Sequence, residues 1–286
     1  MNNLTRRNTL QAALGLGVIS ATGATCTPLV SPSSWANDPS FNIGVIGKLQ
    51  GDLSGKPTYS YNPGFVYGVI PNQGLAPAEF GQLLYKVEGV TKRISRLLQD
   101  GSIEERSRNW MFYCDADTGA YLKQWRNPYT QAIINVPPWR GSPSTSKLTL
   151  QGPVMDFGSG FENTSIGQAP KLDWRTLGET TWITRHAATR LTDDTGNARN
   201  EMSIDSWVCK TRDVAASELT HIPSTYAWTS HAQWQAWTEM KGRPGHVIWR
   251  VETVVMHERD ELPNSLLAQL NKIVPGKIDE PMNWKV

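Results

Sequence analysis

Two strand-like segments of the sequence carry side chains that can move a proton or hold an anionic group. In the first, His186 and Trp182 are an even number of residues apart and share a strand face, whereas Arg185 points to the opposite face. A histidine with a carboxylate nearby can transfer a proton near neutral pH. We therefore predict that His186 is the catalytic acid or base. Glu252 or Asp205 would orient it, and Arg185 or Arg250 would polarise an oxygen of the substrate.

The second segment, residues 246–255, has two alternative interpretations. His246, Arg250 and Glu252 share one strand face, and they would meet in a cavity if that face lined an interior. The favoured alternative is that this face meets solvent, because removing water from a charged group costs several kcal/mol. The core would then be packed by the opposite face, which carries Val247, Trp249, Val251, Thr253 and Val255.

Aromatic side chains form a second set of candidates. The chain has 12 tryptophans, and most should pack in the core because an indole ring buries a large apolar area. One cluster could instead line a pocket in which the rings stack on a flat or sugar-like ligand. The residues predicted to bind a ligand are Trp182, Tyr129, Trp228, His221, His231 and Arg250.

Several common kinds of site are excluded by the motifs. The sequence has no phosphate-binding glycine loop, no dinucleotide fingerprint, no Gly-x-Ser-x-Gly nucleophile elbow and no Cys-x-x-Cys pair. Its 5 histidines are scattered, so no zinc site at short spacing is expected, and the sequence identifies no cofactor. A metal site assembled from distant residues stays open.

The N terminus has the features of an export signal. Arg6 and Arg7 precede an apolar run at residues 12–24, an arrangement typical of twin-arginine signals. We expect recognition by the twin-arginine translocase, cleavage after Ala36 and a mature protein in the periplasm. The apolar run is too short and too rich in glycine for an anchor, so no stable membrane anchor is expected after cleavage. Loss of the two arginines takes the formal net charge from +2 to about zero (+2 minus 2), which gives no electrostatic reason to bind nucleic acid.

The three cysteines have different expected fates. Cys26 lies in the predicted leader, without the residues that precede a lipidated cysteine. Cys114 and Cys209 remain in the mature part, where an oxidising compartment permits a disulfide if their strands are neighbours. Two buried thiols are the equally open alternative.

Strand patterns begin near residue 80. The preceding residues, 37–79, are rich in proline and glycine and show no sustained periodicity, which predicts an irregular arm. A three-stranded meander is expected after residue 107, with an aspartate-containing turn at 115–119, and a related turn is expected at 193–197. The predicted strands are 83–89, 108–114, 121–125, 132–136, 181–186, 201–209 and 246–255.

One convincing helix follows, over residues 263–274, with Leu266, Leu267, Leu270 and Ile273 in a single apolar stripe. Many strands, short turns and no alternating βα units predict a mainly β fold. We expect an antiparallel β-barrel or a strongly curved sandwich, of calycin or lipocalin size, with a C-terminal helix. The predicted organisation is a signal peptide at 1–36, the arm at 37–79 and a single β domain at 80–286.

The turn and aromatic patterns resemble those of a bacterial family known as domain of unknown function 1838 (DUF1838). The likeness rests on residues 113–119, on 125–130, on Trp228 and on 240–245, and it would cover most of residues 80–286. Members of that family tend to carry twin-arginine leaders. The resemblance therefore implies a single exported domain, and it assigns no catalytic residue because the family has no established activity.

Two hypotheses for function follow. The first is an exported enzyme that uses cofactor-free acid–base chemistry on a small apolar or aromatic molecule, as a lyase, hydratase, isomerase or cyclase. The alternative is a non-catalytic periplasmic protein that binds or carries a small molecule in the same cavity, with tryptophans as walls. An enzyme of this kind should have a histidine with a perturbed pKa inside the pocket, whereas a carrier needs only the walls.

Overall fold

The computed structural model describes Trp35 and residues 37–71, 81–141, 143–156, 162–165, 171–192 and 198–284. The predicted leader and its cleavage point, Cys26 and the turn at 193–197 lie outside the described residues. Strands account for most of the regular structure. They are β1 Thr58–Tyr61, β2 Gly64–Val69, β3 Gln82–Leu97, β4 Ile103–Cys114, β5 Gln124–Arg126, β6 Ile133–Asn135, β7 Pro143–Thr149, β8 Gly152–Asp156, β9 Glu162–Ser165, β10 Leu172–Leu177, β11 Thr180–Thr192, β12 Ala198–Lys210, β13 Ser224–Ala232 and β14 His246–Met256.

One antiparallel sheet of 12 strands forms the body of the protein, in the order β1-β14-β13-β12-β11-β9-β8-β7-β4-β3-β2, with β10 paired to β11. Additional pairings of β1 with β3 and of β14 with β2 curl the sheet strongly. The sheet curls but is not a closed barrel. Asp156 of β8 lies opposite Glu162 of β9. The expectation of a mainly β, strongly curved antiparallel fold is thus confirmed.

Three helices are described: α1 (Pro39–Gln50), α2 (Thr211–Ala215) and α3 (Asn264–Ile273). The C-terminal helix predicted from the leucine spacing is confirmed, and Leu266 and Leu270 pack on the outer face of the sheet with Trp110 and Phe112. On the inner face, α1 contributes Val45, Ile46 and Leu49 to a cluster around Trp207.

The prediction of an irregular arm over residues 37–79 is wrong. Its described part contains α1, β1 and β2, and both strands pair within the main sheet. Asp38 caps α1 by accepting a hydrogen bond from the Phe41 amide at 3.1 Å. The helix has apolar residues on several sides because it is packed inside the curled sheet, so the one-sided stripe that marks a surface helix is missing.

The predicted meander is also wrong in its pairing. β4 pairs with β3 and β7, whereas β5 and β6 pair with each other in a separate two-stranded sheet. Trp125 of β5 and Ile134 of β6 pack in the same core cluster as Tyr113 of β4. The turn at 115–119 is as expected, because Asp115 accepts from the Thr118 amide at 2.8 Å and Gly119 has φ 74°.

Cys114 and Cys209 are both free and buried. Cys114 ends β4 and Cys209 lies on β12, which are not neighbouring strands in the sheet. Of the two alternatives left open by the sequence, the structure therefore has two buried thiols. Burial raises the pKa of each thiol to about 12.

Candidate functional site

A polar cavity of about 180 Å³ lies on the inner face of the curled sheet. Along β3 and β4, the apolar residues Val87 and Met111 are followed on the same face by Thr91, Arg93 and Asn109. The cavity is lined by Gln50, Ser60, Asn62, Thr91, Arg93, Asn109, Met111, Tyr226, Trp228, Thr253 and Val255. Polar residues from β1, β3 and β4 thus face aromatic residues from β13.

Next to the cavity, a buried ion pair joins β11 to β12. Arg185 and Asp205 are cross-strand partners, and the guanidinium donates through Nε at 2.8 Å and Nη2 at 2.7 Å to Oδ2 of Asp205. Their side chains are 23% and 6% exposed. The Tyr226 hydroxyl, which lines the cavity, donates to Oδ1 of Asp205 at 2.6 Å. The three side chains therefore form one hydrogen-bonded unit at the cavity wall.

The pKa shifts in this unit have clear physical causes. Burial raises the pKa of Tyr226 well above its usual value, and the negative charge of Asp205 raises it further. Burial, the largest single effect, would lower the pKa of Arg185, but the charge and hydrogen bond of Asp205, together with Tyr226 and Glu105, raise it overall. Tyr226 is thus a neutral hydrogen-bond donor and Arg185 a permanent cation, so neither is a general base near neutral pH.

A second ion pair closes the other side of the cavity. Nε of Arg93 lies 2.9 Å from Oε2 of Glu105, and the two side chains are 16% and 18% exposed. Arg93 also donates through Nη1 to the backbone carbonyl of Gln50, the last residue of α1. The charge of Glu105 also contributes to the raised pKa of Arg185. Of these four charged side chains, Arg93 lines the cavity, and all four are held in ion pairs that have no net charge.

Two asparagines differ in how fully they are bonded. Asn62 donates to the Ser60 carbonyl at 3.0 Å and the Thr91 hydroxyl at 3.2 Å, and it accepts from the Thr253 hydroxyl at 2.8 Å. By contrast, Oδ1 of Asn109 is buried and accepts no hydrogen bond from any described residue. A buried amide oxygen without a partner is costly, so this atom marks where a ligand or water would donate.

Trp228 supplies a flat wall to the cavity. Its ring lies nearly parallel to that of Trp249, with the centroids 6.5 Å apart and an interplanar angle of 18°. The prediction that Trp228 contacts a ligand stays a prediction, and its position on the cavity wall agrees with it. Arg185 is on the same inner face, because it pairs in register with Asp205, and Asp205 pairs with Trp228.

His186 lies on the opposite, outer face of the sheet. Its side chain is 63% exposed, and Nε2 lies 3.6 Å from Oδ2 of the exposed Asp173. Trp182 shares this outer face as predicted and is 37% exposed. Asp205, one of the two residues predicted to orient His186, bonds instead to Arg185 on the inner face.

Glu252 and Arg250 are also on the outer face, which confirms the favoured interpretation for residues 247, 249, 251 and 253, all of them buried. Val255, assigned to the same face, is only partly buried. His186 on β11 and Arg250 on β14 lie in one row across the sheet, with β12 and β13 between them. The two residues are therefore three strand spacings apart, about 14 Å. The structure therefore does not bring together the predicted catalytic residues His186, Arg185 and Glu252. Arg250 and Glu252 line a separate cleft of about 370 Å³ with Glu88.

The remaining predicted ligand-binding residues are dispersed. Tyr129 packs against Trp234, with the ring centroids 5.6 Å apart. His221 shares a hydrogen bond with the Gly51 carbonyl at 2.9 Å, and burial lowers its pKa. His231 stacks on His246 with the centroids 5.5 Å apart. Among the described residues, His221, His231 and His246 line neither the interior cavity nor the cleft of about 370 Å³.

Sequence reasoning missed Arg93, Glu105 and Asn109. Both faces of β3 and β4 are polar over much of their length, as in Thr91-Lys92-Arg93, so alternation of polar and apolar residues does not reveal which face is inside. Lys92 points outward and donates to the Ile278 carbonyl at 2.7 Å.

Within the described parts of the chain, no group of three or more His, Cys, Asp and Glu side chains is arranged to hold a metal ion. The described helices are all too short or too polar to cross a membrane.

Part of the chain matches a family model. Residues 55–160 match the family model described as protein of unknown function (DUF1838). The matched segment includes β1 to β4, which contribute Asn62, Thr91, Arg93 and Asn109 to the cavity. No curated protein matches the chain.

Proposed function

The match supports membership of the chain in the DUF1838 family, and we propose that the protein binds a small molecule inside its curled sheet. The observation that carries the proposal is the unpartnered, buried Oδ1 of Asn109 in a cavity that also exposes the ring of Trp228. A ligand with one hydrogen-bond donor and one flat apolar part would satisfy the amide and cover the indole.

The size and charge of the cavity limit the ligand class. An apolar cavity of roughly 150 Å³ is enough for benzene, so about 180 Å³ holds one ring with a short substituent. Arg93, which lines the cavity, already pairs with Glu105, and Arg185 beside the cavity pairs with Asp205. These paired charges favour a neutral ligand. We therefore propose a small neutral aromatic molecule with a hydroxyl or amine group.

Binding is favoured over acid–base catalysis by the position of His186. The enzyme hypothesis placed this histidine in the pocket, whereas its side chain is 63% exposed on the outer face. The titratable groups near the cavity are held in ion pairs or, in Tyr226, have a raised pKa. A wall of this kind supports binding of a ligand better than transfer of a proton from it.

The test is ligand retention by the protein purified from its natural source under native conditions. We expect mass spectrometry of the denatured wild-type protein to release a stoichiometric small molecule. Asn109→Leu, which keeps the side-chain size and removes the amide, should lose it, whereas the same change at the exposed Asn135 should not. A ligand kept equally by Asn109→Leu, or no ligand in the wild-type protein and no binding of added phenols or anilines, would overturn the proposal.

Export through the twin-arginine pathway to the periplasm is part of the same proposal. It is supported by Arg6 and Arg7 ahead of the apolar run at 12–24. Replacing both arginines by lysine should leave the precursor in the cytoplasm, and N-terminal sequencing of wild-type periplasmic protein should begin at Asn37. An intact residue 1 in the periplasm, or lipid on Cys26, would contradict export with cleavage after Ala36.

A further inference from the structure

The outer cleft of about 370 Å³ is separate from the interior cavity. It lies on the outer face of the sheet, where β2, β3 and β14 meet the first turn of α3 at Ser265. Its lining residues are Tyr61, Pro63, Gly64, Phe65, Lys86, Val87, Glu88, Cys114, Gly119, Tyr121, Arg250, Glu252 and Ser265. The cleft shares no lining residue with the interior cavity.

Two rows of charged side chains cross this cleft. Lys86 and Arg250 are both cross-strand partners of Phe65, so the three lie side by side on β3, β2 and β14. Glu88 and Glu252 each lie two residues beyond one of the cations and share its strand face. The row of carboxylates is therefore about 7 Å from the row of cations. The ring between the cations, that of Phe65, is 40% exposed.

The strands approach closely at the floor of the cleft. A Cβ at Gly64 would lie 2.6 Å from the backbone carbonyl oxygen of Arg250, so only glycine allows β2 to pair with β14 at this point. The pairing places Phe65 directly beside Arg250. The spacing of the charged rows is thus fixed by the backbone of the sheet.

The four charged side chains of the cleft do not pair with one another. Lys86, Glu88, Arg250 and Glu252 form no ion pair within 4.0 Å with any residue in the described ranges. Two cations and two carboxylates around an exposed ring present complementary partners to a molecule that carries both signs. A purely anionic molecule would meet two carboxylates at the same place.

One carboxylate is fixed in position by two tyrosines. Tyr61 donates its hydroxyl hydrogen to Oε1 of Glu88 at 2.8 Å, and Tyr121 donates to Oε2. Burial, followed by the hydrogen bond to Glu88, raises the pKa of both tyrosines. Both hydroxyls therefore stay protonated near neutral pH and hold the carboxylate in a defined orientation, which lowers the entropic cost of binding a cation there.

We propose that the outer cleft binds a zwitterionic molecule of the dipeptide class. Two extended residues span about 7 Å, which matches the separation of the charged rows. The dipeptide carboxylate pairs with Lys86 and Arg250, and its ammonium group pairs with Glu88 and Glu252. An apolar side chain of the dipeptide covers the ring of Phe65. The proposal is independent of the interior site.

The test is isothermal titration calorimetry of the mature protein with alanyl-phenylalanine. Arg250→Gln and Glu252→Gln should each weaken binding about 10- to 100-fold, the loss expected for one hydrogen bond to a charged group. Arg126→Gln, a matched change at an exposed arginine on β5, should leave the affinity unchanged. Asn109→Leu should also bind the dipeptide normally, because it alters only the interior cavity.

End-blocked ligands separate the zwitterion from its apolar part. N-acetyl-alanyl-phenylalanine amide and 3-phenylpropionate, which lack one or both charges, should each bind at least about tenfold more weakly than the free dipeptide. Absence of dipeptide binding at millimolar concentration would overturn the proposal. Equal affinity for the blocked ligands, or equal affinity of Arg250→Gln and wild type, would overturn it as well.

Discussion

Replacing Asp205 by Asn should destabilise the protein strongly. The substitution leaves the Arg185 guanidinium in the sheet interior without its carboxylate, and breaking a buried ion pair in this way costs about 3–5 kcal/mol. Arg185 keeps 23% exposure, so water compensates part of the loss and the lower end, about 3 kcal/mol, is expected. The asparagine oxygen can still accept the hydrogen bond from Tyr226, so that contact is kept.

Urea denaturation followed by tryptophan fluorescence measures the effect. With a slope of about 3 kcal/mol per molar urea for a chain of this size, the midpoint should fall by about 1 M. Arg185→Met combined with Asp205→Asn should recover at least half of the loss, because no charge is then left unpaired. Asp173→Asn, at an exposed carboxylate, is the control and should change the free energy of unfolding by less than about 0.5 kcal/mol.

The reasoning would be refuted if Asp205→Asn behaved like the Asp173→Asn control, since the ion pair would then be as exposed as a surface pair. It would also be refuted if the double variant were no more stable than Asp205→Asn alone. In that case the unpaired charge of Arg185 would not be the cause of the loss.

Three further outcomes are expected. Without reductant, Cys114 and Cys209 should react with a thiol reagent only after denaturation, because burial raises both pKa values to about 12, and a missing thiol signal in the denatured protein would reveal a disulfide. Burial lowers the pKa of His221, so its contribution to stability is full above the unfolded value of about 6.5 and is lost as pH falls through the folded pKa. Thermal melts should therefore show a smaller loss of stability between pH 7 and 5 for His221→Asn than for the wild type or for the exposed control His186→Asn. Leu266→Ala should lower the free energy of unfolding by about 2–5 kcal/mol in chemical denaturation, because the Leu266 side chain is fully buried between α3 and the sheet. A loss below about 1 kcal/mol would argue that the helix is not packed on the sheet.

The elements that the sequence predicted well are those whose periodicity matches one-sided burial. In β14, Val247, Trp249 and Val251 alternate with exposed residues, and in α3 the buried Leu266 and Leu270 are one helical turn apart. Each of these elements has one face in the core and one in water, so the spacing of its apolar residues predicts both the type of element and its buried face. β11 and β12 also have one face inside and one outside, and they pair as an antiparallel hairpin, as expected.

The candidate site could be predicted only in part, for a physical reason. Alternation along β11 predicts that Arg185 and His186 lie on opposite faces, as the structure has them, but it does not show that the face of Arg185 is the inner one. The partner of Arg185 depends on the register between β11 and β12. Arg93 and Asn109 depend on strands whose two faces are both polar. His186 attracted attention as a titratable residue, yet its own face has no packed layer above it and leaves it exposed. Register and sheet curvature are long-range properties that no local pattern contains.

The most direct test of interior ligand binding is an electron-density map of the protein purified from its natural source without added ligand. Small-molecule density is predicted between the ring of Trp228 and the amide of Asn109, with a donor atom within about 3 Å of Oδ1. A cavity in which Asn109 is bonded to ordered water alone, with no organic density against Trp228 at full occupancy of the protein atoms, would contradict the proposed function.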